Sequence, residues 1–473
     1  VIPDTDKIIA MSKLFGVTAD CLLSDSEIPE AEPTEENSDA EITKSIPITK
    51  EYISSEQTED KKPKKGIAKK IIAAVAVPLH FGGLRETWWA ICGGKVQYPY
   101  VLVHGLGGWG DSSGMNSVSK YWGASTGDLS AYLEGEGYTV YEPTVGPISS
   151  TWDRTCELYA ELTGTTVDYG EAHSKEHNHK RFGRNYSTAL FEGWGTKKNG
   201  GQIQKINLVG HSLGGATVRM LASLLEYGSD AEKNASGDDV SPLFTGGKGD
   251  WVNSVTTLCA PHNGSSLTCI IDSVGSVAGI DNATEMLATL CFAAAGVSKP
   301  VSGAYDFMLD QFGVGQVTGG NDHAGYDLSP DGAAEINKGI KTVDGVYYFS
   351  YAYLTTQKGK VLPGQVPIPS TLPILYPTAL AMGSFKGTTP GGISIDESWQ
   401  PNDGLVSVVS AKYPTGDKYV DFDGDVKNIK KGIWNFMGTS EGDHGTVIGL
   451  NADTQKTHDF YDNLFSMIDS LKR

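Results

Sequence analysis

Four serines in this chain sit in the pattern Gly-x-Ser-x-Gly: Ser112 in GDSSG, Ser125 in GASTG, Ser212 in GHSLG and Ser440 in GTSEG. With 58 glycines in the chain the pattern arises cheaply, so the neighbouring residues must decide among them. A serine hydroxyl becomes a nucleophile only when a base takes its proton. Ser212 alone lies between a strong apolar strand, IQKINLVG (203–210), and an amphipathic helix, LGGATVRMLASLLEYG (213–228). A strand-turn-helix elbow crowds two backbones, and Gly210 and Gly214 are the small residues such crowding requires. The helix start also brings backbone N–H groups, chiefly that of Leu213, to where an oxyanion would develop. Ser112 and Ser125 follow no such strand, and Ser440 is flanked by a polar, acidic loop.

On such an elbow the acid and the base follow the serine in chain order. The downstream histidines are His262, His323, His444 and His458. His458 opens a final amphipathic helix, and His262 follows a strand end in CAPHNG, where a structural hydrogen bond is expected. His444, in GDHGTVIG just ahead of the C-terminal helical stretch, is the expected base. PNDGLVSVV (401–409) puts Asp403 in a turn beside a strand, able to accept the imidazole Nδ1–H and stabilise an imidazolium. Asp443 is the rival acid, but adjacency to His444 makes direct pairing awkward. A second oxyanion donor should come from the loop after the first strand, and in HGLGGWG (104–110) that is the N–H of Leu106.

These groups need a frame. VQYPYVLVHG (96–105), YTVYEP (138–143), VNSVTTLCAP (252–261), GVYYFSYAYL (345–354) and GLVSVVSA (404–411) read as further strands. HDFYDNLFSMIDSLK (458–472) reads as an amphipathic helix through Phe460, Leu464, Ile468 and Leu471. Strands alternating with helices predict an α/β fold, a mostly parallel sheet covered on both faces. Ahead of it, residues 1–24 read as two short helices and 25–60 as an acidic linker with twelve Asp or Glu against two Lys. The lysine-rich KKPKKGIAKK (61–70) completes the linker, and 71–473 is the catalytic region.

A net charge of −19 argues against an electrostatic nucleic-acid binder, and the longest apolar run, IIAAVAVPL (71–79), is too short to span a bilayer. The six cysteines form no CxxC; free thiols are expected, with Cys269–Cys291 the one pairing open. In AHSKEHNH (172–179), His173 and His177 share one helical face and form a metal-type pair, although spacing alone does not say which histidine stays out.

The motifs HGLGGWG, KYWG (120–123), SSTWDR (149–154), VDYGEAHSKEHNHKRFGR (167–184), GHSLGGATVRML (210–221), PHNGSSL (261–267), YDFMLDQFG (305–313), PNDG (401–404) and MGTSEGDH (437–444) follow in order. Together they resemble the zinc-containing thermoalkalophilic lipases of bacterial lipase family I, over roughly residues 95–473. The resemblance implies an α/β-hydrolase fold, a Ser212/Asp403/His444 triad, and Leu106 and Leu213 as oxyanion donors. It implies hydrolysis of acylglycerols and other apolar esters; polyester surfaces are further expected substrates because the scissile bond is the same and a hydrophobic surface resembles an oil interface. Acyltransferase or phospholipase chemistry on the same triad is the alternative. Residues 1–24 resemble the closing helices of a phage-repressor-type DNA-binding domain and suggest a further one, a regulator with a hydrolase-like sensor. The resemblance also implies secretion, against a cytoplasmic alternative, and a structural zinc in an inserted subdomain (about 149–190 plus 320–330). By motif position its ligands are Asp153, His173, His179 and Asp327. The family's calcium ligands fall on Thr446, Asn451 and Ala452, which predicts calcium absent or weak. Residues 265–300, rich in apolar residues at helical spacing, are expected to form a lid.

Overall fold

In the strand Tyr100–Val103, Tyr100 and Leu102 enter one apolar cluster while Val101 and Val103 enter another. That alternation requires a sheet buried on both faces. The computed structural model describes residues 98–472 apart from 118, 199–200, 279–319 and 362. The expected N-terminal helices (1–24), the linker (25–70), Cys291 and most of the expected lid lie outside the described residues.

The seven strands of the central sheet are β1 Tyr100–Val103, β2 Val140–Tyr141, β3 Ile206–His211, β4 Val252–Leu258, β5 Tyr347–Leu354, β6 Tyr419–Asp421 and β7 Trp434–Glu441. Their spatial order is β6-β7-β5-β4-β3-β1-β2, and every neighbouring pair is parallel. All strand ends that could present chemistry therefore point the same way. The chain leaves β1 toward β2 and β3 toward β4, in opposite directions across the sheet, which opens a crevice at the carboxyl ends of β1 and β3.

Helix α1 (Leu129–Gly135) precedes β2, and α2 (Thr151–Thr163) and α4 (Leu213–Tyr227) cover one face of the sheet with Leu158, Leu162, Val218, Leu221 and Leu225. The C-terminal helix α6 (Thr454–Ser470) covers the other with Tyr461, Leu464, Phe465 and Ile468. The Phe465 ring stacks on Tyr100 of β1 at 3.5 Å. Short helix α3 (Glu171–Glu176) and an antiparallel hairpin, Thr166–Asp168 with Phe182–Asn185, form the small insertion after α2. Helix α5 (Ser266–Ala278) begins where the lid was expected, but Leu267, Ile270 and Ile271 are buried in the core, so its first turns are fixed packing.

Three elements of the central fold differ from the sequence reading: one expected strand is helical, and β6 and β7 were not read as strands. GLVSVVSA is not a strand: residues 408–412 are helical. The carboxylate of Asp403 accepts the N–H groups of Leu405 and Val406, a local turn that pulls this β-branched run out of extended form. Conversely β7 was missed. Its register against β5 shifts between Phe436 and Thr439, where Gly438 has φ +109°, and this bulge breaks the alternation a strand should show.

Candidate active site and metal cluster

The elbow is tight by the measure of its own backbone. A Cβ on Gly210 would lie 2.4 Å from Gly214 O, and one on Gly214 would lie 2.2 Å from Val103 O. Both are sterically barred, so strand and helix meet as closely as peptide groups allow. Ser212 between them has φ +55° and ψ −126°, a conformation that costs a non-glycine residue about 1–3 kcal/mol and that surrounding structure must impose.

Behind the serine, His444 Nδ1 lies 2.8 Å from Asp403 Oδ2. The other Asp403 oxygen is held by Leu405 N–H at 3.0 Å and Val406 N–H at 2.7 Å, and the His444 N–H donates to Asp403 O at 2.8 Å. The carboxylate is 1% exposed and spatially fixed, so it dictates that Nδ1 carries the proton and leaves Nε2 as the lone pair facing the cleft. Ser212 and His444 line one cleft with Leu106, Trp109, Leu375, Leu405, Ile448 and Leu450. Asp443, the rival acid, is turned elsewhere: its oxygens accept from Gly445 N–H, the Thr446 hydroxyl, Leu372 N–H and the Asn451 amide. His262 is bonded to Thr257 and Arg219, and His458 stacks on Tyr132. Of the other serines of the glycine pattern, Ser125 donates its hydroxyl to Gly449 O at 2.7 Å and Ser440 is a β7 residue opposite Tyr353.

In the loop after β1, Gly105 N–H donates to the Tyr121 hydroxyl, Gly107 N–H to Pro147 O and Gly108 N–H to Gly105 O. Among the described residues the Leu106 and Leu213 N–H groups make no such bond, which leaves two donors for an oxyanion beside Ser212. The loop is pinned by Arg154, a fully buried guanidinium in α2. It donates to His104 O (2.5 Å), Gly146 O (2.6 Å) and the Thr217 hydroxyl of α4 (3.1 Å). Sequence reading gave Arg154 no role of its own; in a helix that also carries Asp153, Glu157 and Glu161 nothing local marked it out.

The insertion brings Asp153, His173, His179 and Asp322 together, with one ligand-type atom from each within 4.8 Å of the others. His173 Nε2 lies 3.2 Å from Asp153 Oδ1 and 3.4 Å from Asp322 Oδ1, and His179 Nε2 lies 3.4 Å from Asp322 Oδ2. The cluster thus holds Asp322 at the place where the motif reading had put Asp327. Asp327 is the last residue of a short helix, Ala324–Asp327, and its carboxylate accepts the Thr151 N–H at 2.5 Å, at the first residue of α2. Asp322, in the loop before that helix, reaches both imidazoles. The close repeat of acidic residues in NDHAGYD (321–327) hid which one faces inward. His177 packs its ring against His173 at 4.5 Å but stays out of the cluster.

The donors fit a cation. Asp153 Oδ2 and His179 Nε2 are buried without a hydrogen-bond partner. His179 Nδ1 donates to Lys180 O at 2.9 Å, which fixes Nε2 as a lone pair. Burial would lower the pKa of His173, yet the carboxylates of Asp153 and Asp322 hold it up to about 9. Two imidazoles and two carboxylates in a closed cluster suit tetrahedral zinc. At one of the expected calcium positions, the Asn451 amide nitrogen donates to Ser370 O (3.1 Å) and Asp443 Oδ2 (2.9 Å).

The parallel seven-stranded sheet with a strained serine elbow at its carboxyl edge is the α/β-hydrolase fold. The chain belongs to the family described as "Lipase-like, C-terminal domain", whose model matches residues 96–473. That membership bears out the resemblance to bacterial lipases read from the motifs. A lipase of Staphylococcus epidermidis is 31% identical over 387 residues, 77% of this chain and 52% of that protein. The chain thus spans about half the length of the curated relatives it matches. Among solved structures, EstA from Clostridium botulinum is 34% identical with a TM-score of 0.68, covering 80% of this chain and 88% of its own. Lipase 1 from Pelosinus fermentans is 36% identical with a TM-score of 0.65, covering 80% and 100%. No helix among the described residues is long and apolar enough to cross a membrane.

Proposed function

We propose that this chain hydrolyses apolar carboxylic esters through an acyl-enzyme on Ser212. The observation that carries the reading is that a strained serine and the histidine of a fixed Asp403–His444 pair line one apolar cleft. His444 Nε2 accepts the Ser212 proton as Oγ attacks the ester carbonyl. Leu106 and Leu213 N–H groups stabilise the oxyanion, and Asp403 stabilises the imidazolium. His444 then protonates the leaving alcohol, and water repeats the sequence to free the acid. Leu375, Leu405, Ile448 and Leu450 on the walls favour an apolar acyl chain.

One zinc ion held by Asp153, His173, His179 and Asp322 is part of the same reading. The cluster offers no open position and lies in an insertion rather than in the cleft, so the ion would brace the fold. Action on lipid and polyester surfaces and an extracellular location belong to the proposal; lipid surfaces and location rest on the family resemblance, polyester surfaces on the shared ester bond. A chain-length series of p-nitrophenyl esters, with phosphonate labelling read by peptide mass, tests it. Hydrolysis with the label on Ser212 alone is expected; labelling at Ser112, Ser125 or Ser440, or no hydrolysis of any ester, overturns it.

A further inference from the structure

Tyr121 and His211 are not needed to explain the triad, yet they connect its parts. The Tyr121 oxygen lies 2.8 Å from Gly105 N and 2.7 Å from His211 Nδ1. His211 Nε2 lies 3.0 Å from the carbonyl oxygen of His444. The direction of every bond follows. An amide N–H only donates and a carbonyl only accepts. The phenol oxygen therefore accepts from Gly105, its own proton goes to His211 Nδ1, and the imidazole proton sits on Nε2 and goes to His444 O. Burial and the nearby His444 hold the pKa of His211 well below the usual histidine range, in keeping with a neutral ring.

Each end of this relay is one step from the chemistry. Gly105 precedes the oxyanion donor Leu106, His211 precedes Ser212, and His444 is the base. Packing adds to it. A Cβ on Gly105 would lie 2.7 Å from Ser212 Cβ and 3.0 Å from the Tyr121 oxygen, and one on Gly108 would lie 2.6 Å from Tyr121 Cε2. The oxyanion loop is wrapped on the Tyr121 ring, and Trp109 and Trp122 meet that ring edge-on at 5.7 and 5.5 Å.

We propose that Tyr121 and His211 form a positioning pair that sets the spacing of oxyanion donor, nucleophile and base, with His211 held as the neutral Nε2–H tautomer. Neither residue gives or takes a proton in the reaction. The pair acts through geometry, so its loss falls on kcat and leaves KM nearly untouched. The proposal rests on Ser212 being the nucleophile.

Tyr121→Phe keeps the ring and removes only the hydroxyl. On a soluble p-nitrophenyl ester, kcat is expected to fall about tenfold, part of the roughly 100-fold that a 1 Å misplacement brings, with KM changed less than about twofold. His211→Gln should lower kcat as well, and the double variant should lose little more than the worse single one. In protein carrying 15N-labelled histidine, NMR should assign His211 the Nε2–H tautomer, and Tyr121→Phe should weaken that preference. A Tyr121→Phe enzyme with unchanged kcat, additive losses in the double variant, or an Nδ1–H tautomer in the unaltered chain overturns the pair. Absence of ester hydrolysis in the unaltered chain instead overturns the functional reading, and the tautomer measurement still judges the relay.

Discussion

The cleft and the metal cluster are built from similar groups, an aspartate against a histidine, and they are completed in opposite ways. In the cleft the protein supplies every partner: Asp403 has two backbone donors and His444 Nδ1, and Asp443 is satisfied by four further groups. In the insertion the protein leaves Asp153 Oδ2 and His179 Nε2 buried and unpartnered. One site is organised by backbone, whereas the other gathers donors that a metal ion could complete. The two share helix α2, where Asp153 belongs to the cluster and the next residue, Arg154, pins the loop after β1.

The largest expected effect breaks the cleft alone. Ser212→Ala should reduce ester hydrolysis by about 10⁴–10⁶ with no loss of melting temperature, because the hydroxyl has no substitute while the packing stays. Asp403→Asn should follow at roughly 10³–10⁴, since the amide releases the Nδ1–H tautomer of His444; steady-state rates on a soluble ester measure both. Next comes the metal cluster. Asp322→Ala should lose the ion by metal analysis and lower the melting temperature by ~5 °C or more, with a smaller loss of rate than either change above. Asp327→Ala should keep the ion; loss from Asp327→Ala with retention in Asp322→Ala would reverse the ligand assignment.

The smallest effect concerns Glu161 in α2, whose pKa burial pushes up to about 8. Its carboxylate accepts the Thr144 N–H at 3.0 Å, in the loop that backs the oxyanion strand. A raised folded pKa means the native state holds the proton more tightly than the unfolded one. Stability from this group is thus present below about pH 4.5 and lost as pH rises through about 8. Glu161→Gln keeps an acceptor without the charge and should raise the melting temperature at pH 9 by ~2 °C while changing little at pH 5. An equal shift at both pH values would remove the electrostatic cause.

Sequence alone determined what is local. The elbow at Ser212 is legible because glycine spacing, a continuous apolar strand and a 3.6-residue periodicity lie within 26 residues, 203–228. The strands β3 and β4 and the helix α6 follow from the same short-range patterns. Tertiary structure decided what depends on several distant segments at once. Whether Asp322 or Asp327 faces His173 turns on one short helix, and both choices satisfy the spacing. Asp403 bends its own following residues out of a strand because it must meet a histidine 41 positions later. The relay from Gly105 through Tyr121 and His211 to His444 joins four segments that no window of sequence contains. Side-chain type is written residue by residue, but which polar atom meets which is settled only when the burial of all of them is solved together.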